Sequence, residues 1–131
     1  MSVDHVTEIQ ALISRWCKAI REQDFAGIRA GHDPDILMFD VPPPFLSRGL
    51  DAYMATWDIF FAGTARPVQF DLRDVTITAG DEVAFATALG RCCDLSSGAP
   101  LQLDFRLTLG FKRQDGRWRI VHEHHSVPAG S

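Results

Sequence analysis

Residues Arg106–Pro128 read RLTLGFKRQDGRWRIVHEHHSVP. Leu107, Leu109 and Phe111 alternate with Arg106, Thr108 and Lys112. Further on, Trp118, Ile120, His122, His124 and Ser126 alternate with Arg119, Val121, Glu123 and His125. A period of two marks strands, because successive side chains point to opposite faces. Asp115-Gly116 between the two runs is a hairpin signal, since a type I′ turn needs positive φ at both central positions. With those residues as the loop, Gln114 faces Arg117. An unbroken count outward then sets Phe111 opposite Ile120, Leu109 opposite His122 and Leu107 opposite His124. This register places His122 and His124 on the apolar face, and Arg106, Thr108, Glu123 and His125 on the other. A shift of one residue would turn a strand over.

Imidazoles on an apolar face cost free energy unless they are hydrogen-bonded. Either they are satisfied core residues, or they line a cavity that takes a ligand. The His-x-His spacing also suits two metal ligands, with Asp40 needed to complete the set. Two ligands without a third are a weak metal signal, so no metal and no other cofactor is expected.

The chain has 131 residues, a length that fits one domain spanning 1–131. A net charge of −4 leaves no basic footprint for nucleic acid. No apolar run reaches membrane-spanning length, and Met1–His5 lacks the features of an export signal, so a cytoplasmic chain without a membrane partner is expected. Cys17, Cys92 and Cys93 have no zinc or redox spacing and read as small reduced hydrophobes. Cys92 and Cys93, adjacent on a strand, point to opposite faces.

Upstream, Val6, Ile9, Ile13, Trp16 and Ile20 recur at helical spacing, with Ser2 or Asp4 as the cap. Asp24 caps a short helix that ends at Gly31. His32-Asp33-Pro34-Asp35 reads as a break, Ile36–Asp40 as a short strand ended by Pro42-Pro43-Pro44, and Phe45–Leu50 as a loop. Leu50, Met54, Trp57 and Phe61 mark a third helix, with Asp51 as its cap and Gly63 at its end. After Pro67 the period becomes two. Val68, Phe70 and Leu72 alternate, and a phase shift near Arg73-Asp74 suggests a bulge. Val83–Asp94 is a long strand with Ala84, Ala86, Ala88 and Gly90 on one face, and Leu95–Pro100 is a turn. Helices followed by sequential antiparallel strands give an α+β fold: three helices packed over the concave face of a curved antiparallel sheet, leaving a cone.

That element order resembles the nuclear transport factor 2-like superfamily, whose fold is cystatin-like. Within it, Arg106-Leu107-Thr108 and the run Asp115–Ser126 resemble the SnoaL-like and ketosteroid-isomerase-like branch. The resemblance implies a homodimer formed through the outer sheet face and a small apolar molecule held inside the cone. It also implies a catalytic carboxylate at the end of the first strand, where this chain has Asp40 before Val41-Pro42. The oxyanion-binding tyrosine of the ketosteroid isomerases falls at Trp16, and their protonated aspartate falls near Thr108 or Asp104. That triad is therefore not intact, and steroid isomerisation as such is not expected.

A carboxylate in an apolar pocket is raised towards neutral pKa, which suits a general base. The candidate catalytic residues are thus Asp40, His122 and His124, working on an enolisable carbonyl compound by isomerisation or cyclisation. Trp16, Phe39, Trp57, Phe61, Leu107 and Leu109 are the candidates for lining the substrate site. The alternative is a non-catalytic ligand-binding or dimerisation domain. Arg106, Glu123 and His125 read as a structural or dimer-face cluster.

Overall fold

The structure, a computed structural model, describes residues 4–62, 68–94 and 101–129. Helix α1 (His5–Arg21) starts where Asp4 accepts the backbone N–H of Thr7, and it buries Ile9, Leu12, Ile13, Trp16, Cys17 and Ile20 along one side. Helix α2 (Phe25–Ala30) starts in the same way, with Asp24 accepting from Gly27. Helix α3 (Leu50–Ala62) buries Tyr53, Met54, Trp57 and Phe61. Asp51 lies inside its first turn rather than at its cap, because the chain enters the helix two residues earlier than expected. The readings at Ser2, Gly63 and Leu95–Pro100 fall outside the described residues, as does the side chain of Cys93.

Strands β1 (His32–Phe39), β2 (Ser47–Arg48), β3 (Gln69–Ala79), β4 (Val83–Asp94), β5 (Leu101–Gln114) and β6 (Arg117–Ser126) form one sheet in the order β2-β1-β6-β5-β4-β3. Neighbours run antiparallel except β1, which lies parallel to β6. The two-residue β2 occupies what the sequence suggested was a plain loop. Its partner β1 begins at His32, the first residue of the expected break, and so runs through it. That break survives as an irregularity: His32 sits beside Ile120, yet Leu37 sits beside His122. The expected bulge in β3 is present between Arg73 and Thr76, with Asp74 at φ 55°.

The small-residue face of β4 points inward. Gly90 lies opposite Phe105, and a Cβ on Gly90 would come within 2.2 Å of the Phe105 ring. The bare backbone therefore lets that ring lie across β4 and reach Phe70, with ring centroids 5.8 Å apart. The core beneath the helices holds Trp16, Ile36, Met38, Leu107, Leu109, Phe111 and Ile120, each almost fully removed from water. At roughly 1.5–3 kcal/mol per large apolar side chain, this cluster dominates the stability of the fold.

The hairpin turn forms as expected, with Asp115 at φ 54° and Gly116 at φ 75°. Gln114 faces Arg117 and Phe111 faces Ile120. Beyond that point the register departs from the unbroken count. Gly110 pairs with His122, so Val121 is an extra residue on β6, a β-bulge. Leu109 then faces Glu123, Thr108 faces His124 and Leu107 faces His125. Every side chain after the bulge has changed sides. Glu123 and His125 enter the core face, and His122 and His124 leave it. The expected facing of these four residues is corrected accordingly.

Replacing Gly90 with alanine forces the Phe105 ring to move. We expect Gly90→Ala to lower the free energy of unfolding by about 1–3 kcal/mol, measured by urea titration; unchanged stability would mean that the ring has room to spare.

Candidate active site

Asp40 follows the end of β1. Ile36 and Met38 point into the core, so alternation carries Asp40 to the same side. Its Oδ1 accepts the N–H of Val41 at 2.8 Å, which orients the carboxylate. Pro42, Pro43 and Pro44 follow, and they face the same cavity as Thr56, Trp57, Ile59 and Phe60 of α3. Between these elements and the inner face of β3, β4 and β5 lies a cavity of about 240 Å³. Met38, Trp57, Phe60, Phe70 and Phe105 form its apolar wall, and Asp40 and His125 are the ionisable groups that line it, apart from the thiol of Cys92.

His125 is fixed from behind. Its Nε2–H donates to Glu123 Oε1 at 2.9 Å, and the other oxygen, Oε2, meets His32 Nε2 at 2.5 Å. The remaining His32 nitrogen, Nδ1, lies 2.7 Å from the carbonyl oxygen of Ile28. Glu123 is wholly buried. A lone buried carboxylate would cost several kcal/mol, and two imidazole donors offset that cost. Burial pushes the Glu123 carboxyl up, but hydrogen bonds from His125 and His32, with their charges, outweigh it and lower it from 4.5 to about 2. For His125, burial acts downward. The hydrogen bond to Glu123 and the charges of Glu123 and Asp40 outweigh it, so its pKa lies above the usual value.

Tyr53 completes the buried group from α3. Its hydroxyl accepts Trp16 Nε1–H at 3.2 Å. Burial first, and then the charge of Glu123 and a hydrogen bond to it, hold the phenol protonated far beyond its ordinary range. Trp16, expected at the oxyanion-binding position, thus serves as a donor to Tyr53.

The expected site residues divide into three groups. Asp40 and Trp57 line the cavity. Trp16, Phe61, Leu107 and Leu109 face inward but are packed in the core beside it, with Phe61 stacked on Trp57 at 5.5 Å. Phe39, His122 and His124 lie on the opposite face, where the Phe39 ring meets both imidazoles at 5.0 and 5.3 Å. His122 Nδ1–H donates to Leu37 O at 2.7 Å, so this imidazole braces the β1–β6 pairing. Thr108 pairs with His124 on that outer side. Asp104 is half-exposed and holds Arg91 at 2.7 Å. Among the described residues no cluster of three or more His, Cys, Asp or Glu has the geometry of a metal site.

Sequence reasoning missed His32, Tyr53, Glu123 and His125. A glutamate flanked by His122 on one side and by His124 and His125 on the other was the available signal, since a carboxylate so placed can hold imidazoles on its own side of the sheet.

The family model described as a SnoaL-like domain matches residues 9–130. The chain belongs to the SnoaL-like family. A search of curated proteins gave no match. Solved structures give many. A nuclear transport factor 2-like protein of unknown function from Pseudomonas putida is 35% identical, with a TM-score of 0.88 over 98% of this chain and 89% of that one. A candidate dehydratase of the same superfamily from Streptomyces avermitilis is 16% identical, with a TM-score of 0.80 over 95% and 97%. A candidate ketosteroid isomerase from Shewanella frigidimarina is 20% identical, with a TM-score of 0.71 over 88% and 92%. The last two share the fold with this SnoaL-like domain and carry no residue roles across. No helix among the described residues is long and apolar enough to cross a membrane.

The pKa directions set the pH dependence of stability. Glu123 falls on folding from 4.5 to about 2, so its contribution is complete above pH 4.5 and disappears as the pH falls towards 2. His125 rises above 6.5, so its contribution is complete below pH 6.5 and is lost as the pH climbs through the raised value. Thermal unfolding followed by circular dichroism should therefore be most resistant between pH 4.5 and 6.5. Glu123→Gln should cost about 3 kcal/mol and make both flanks shallower. An unaltered pH profile in that variant would separate stability from this cluster.

Proposed function

We propose that this SnoaL-like domain is an enzyme that moves protons on an uncharged carbonyl compound of one or two rings. Asp40 is the general base and His125 its partner. The observation that carries this reading is the meeting of the Asp40 carboxylate and the braced His125 imidazole in one apolar cavity.

Removing a proton next to a carbonyl needs a base for the carbon acid and a donor for the enolate oxygen. In this reading Asp40 takes the α-proton, the C–H electron pair moves into the enolate, and protonated His125 donates a hydrogen bond to the developing oxyanion. Nδ1 is the nitrogen that Glu123 leaves for this task. Return of the proton to another carbon completes an isomerisation, while attack of the enolate carbon on a second carbonyl, whose oxygen takes the electron pair and then the proton from Asp40, completes a cyclisation. The aromatic wall suits flat apolar rings. A volume of about 240 Å³ lies below the usual range of drug-sized pockets, which favours small substrates. No lysine or arginine is among the cavity's described lining residues, which disfavours an anionic substrate. The names given to the Streptomyces and Shewanella proteins, a candidate dehydratase and a candidate ketosteroid isomerase, are compatible with proton-transfer chemistry.

The homodimer implied by the resemblance belongs to the same proposal. The outer sheet face leaves Val83, Phe85 and Leu89 of β4 substantially exposed, and a second copy would cover them.

The bicyclic ketone 2-tetralone, deuterated beside its carbonyl, is a direct probe. Loss of deuterium to water, followed by NMR, should be faster with the protein than in buffer. Asp40→Asn should slow it by about 100-fold or more. Full exchange activity in Asp40→Asn would remove Asp40 as the base. Binding of the ketone without any faster exchange would leave a ligand-binding domain.

A further inference from the structure

His32 lies far back in the molecule, at the start of β1, and its side chain has no solvent access. Both of its ring nitrogens face acceptors, the Ile28 carbonyl at 2.7 Å and Glu123 Oε2 at 2.5 Å. Both hydrogen bonds are made only when a proton sits at each nitrogen, since Glu123 is ionised. The ring is then a cation that balances the carboxylate. Glu123 gives its second oxygen, Oε1, to His125. One carboxylate thus serves two imidazoles, and only one positive charge leaves the buried group neutral.

We propose that His32 is a positioning residue that acts through Glu123 on His125. By occupying one carboxylate oxygen, Oε2, it limits how strongly Glu123 can hold a proton on His125. His125 keeps its orientation, with Nε2–H directed at Oε1, yet remains able to lose and regain the proton on Nδ1. This inference rests on the proposed role of His125 as a donor, because a donor that cannot release its proton is a poor acid.

The other groups around the cluster do not supply this balance. From α3, Tyr53 offers a neutral hydroxyl whose proton burial and Glu123 keep in place. From α1, the Cys17 thiol is pushed up to about 11, chiefly by burial. From the end of β1, the Asp40 charge adds to the pull that keeps His125 protonated. The remaining imidazoles of β6, His122 and His124, are on the far side of the sheet with Phe39. His32 is the cationic partner that Glu123 has besides His125 among the described residues.

The test is an NMR titration of the His125 ring in the intact protein and two variants, which requires no turnover. In His32→Gln, Glu123 keeps its charge and loses its cationic counterpart, so the His125 midpoint should climb by about one pH unit or more. In Glu123→Gln the carboxylate itself is gone, and the midpoint should drop below that of the unaltered protein. Simple loosening of the core would send both midpoints downward, towards the value of a solvated imidazole. A fall or no change in His32→Gln would overturn the proposal. Deuterium loss from 2-tetralone, measured across pH, separates this from the functional reading. A raised NMR midpoint in His32→Gln, without exchange activity in any form of the protein, would keep the coupling and discard the enzyme. With exchange activity, the alkaline limb of the rate profile should move up in step with the midpoint.

Discussion

One carboxylate, removed from water and gripped by an imidazole on each oxygen, governs this molecule. Glu123 comes from β6, His125 from two residues further on, and His32 from the first residue of β1. An unpaired charge at that depth would be expelled or neutralised. Its survival as an anion requires that β1 and β6 lie side by side, that β6 be bulged, and that α2 offer the Ile28 carbonyl behind His32. The pairing of β1 with β6 and the bulge in β6 thus meet in one buried polar knot.

The cavity follows from the same arrangement. Strand β1 ends where the knot ends, and the next residues, Asp40 to Pro44, form one wall. The opposite wall depends on β4 being nearly bare on its inner face, so that Phe105 can lie flat and meet His125 with ring centroids 5.5 Å apart. Apolar walls raise the strength of every charge interaction inside them. The Asp40 charge is felt at His125, where it favours the protonated imidazole.

Much of this was legible in the sequence. The helical stripes, the Asp115-Gly116 turn, the Arg73-Asp74 bulge and the alanine face of β4 are local patterns, and each has one dominant structural solution. The prolines after a short apolar run marked the end of the first strand, and the family resemblance singled out Asp40 at that place. The facing of the last strand was not legible beyond Ile120. Nothing about Val121 marks it as an extra residue, since a valine is as much at home in a regular strand as in a bulge. The error then passed to every later position, because the side-chain period is two. His32 was hidden differently: Asp33-Pro34-Asp35 looks like a break, and a residue next to a break reads as surface. Its burial depends on β6, where its partner Glu123 lies 91 positions away in the chain.

The bulge at Val121 gives β6 the character of a two-position selector. The segment His122–His125 carries two alternate sets of polar side chains, one directed to the cavity and one to the outside, and a single unpaired residue decides which set is where. Loss of that residue would turn the downstream strand inside out while leaving the hairpin turn and the strand pairing available. His122 and His124 would then enter the interior, without a glutamate between them on the same face. A one-residue change in length could thus exchange a carboxylate-bridged site for a bare histidine pair on the same scaffold.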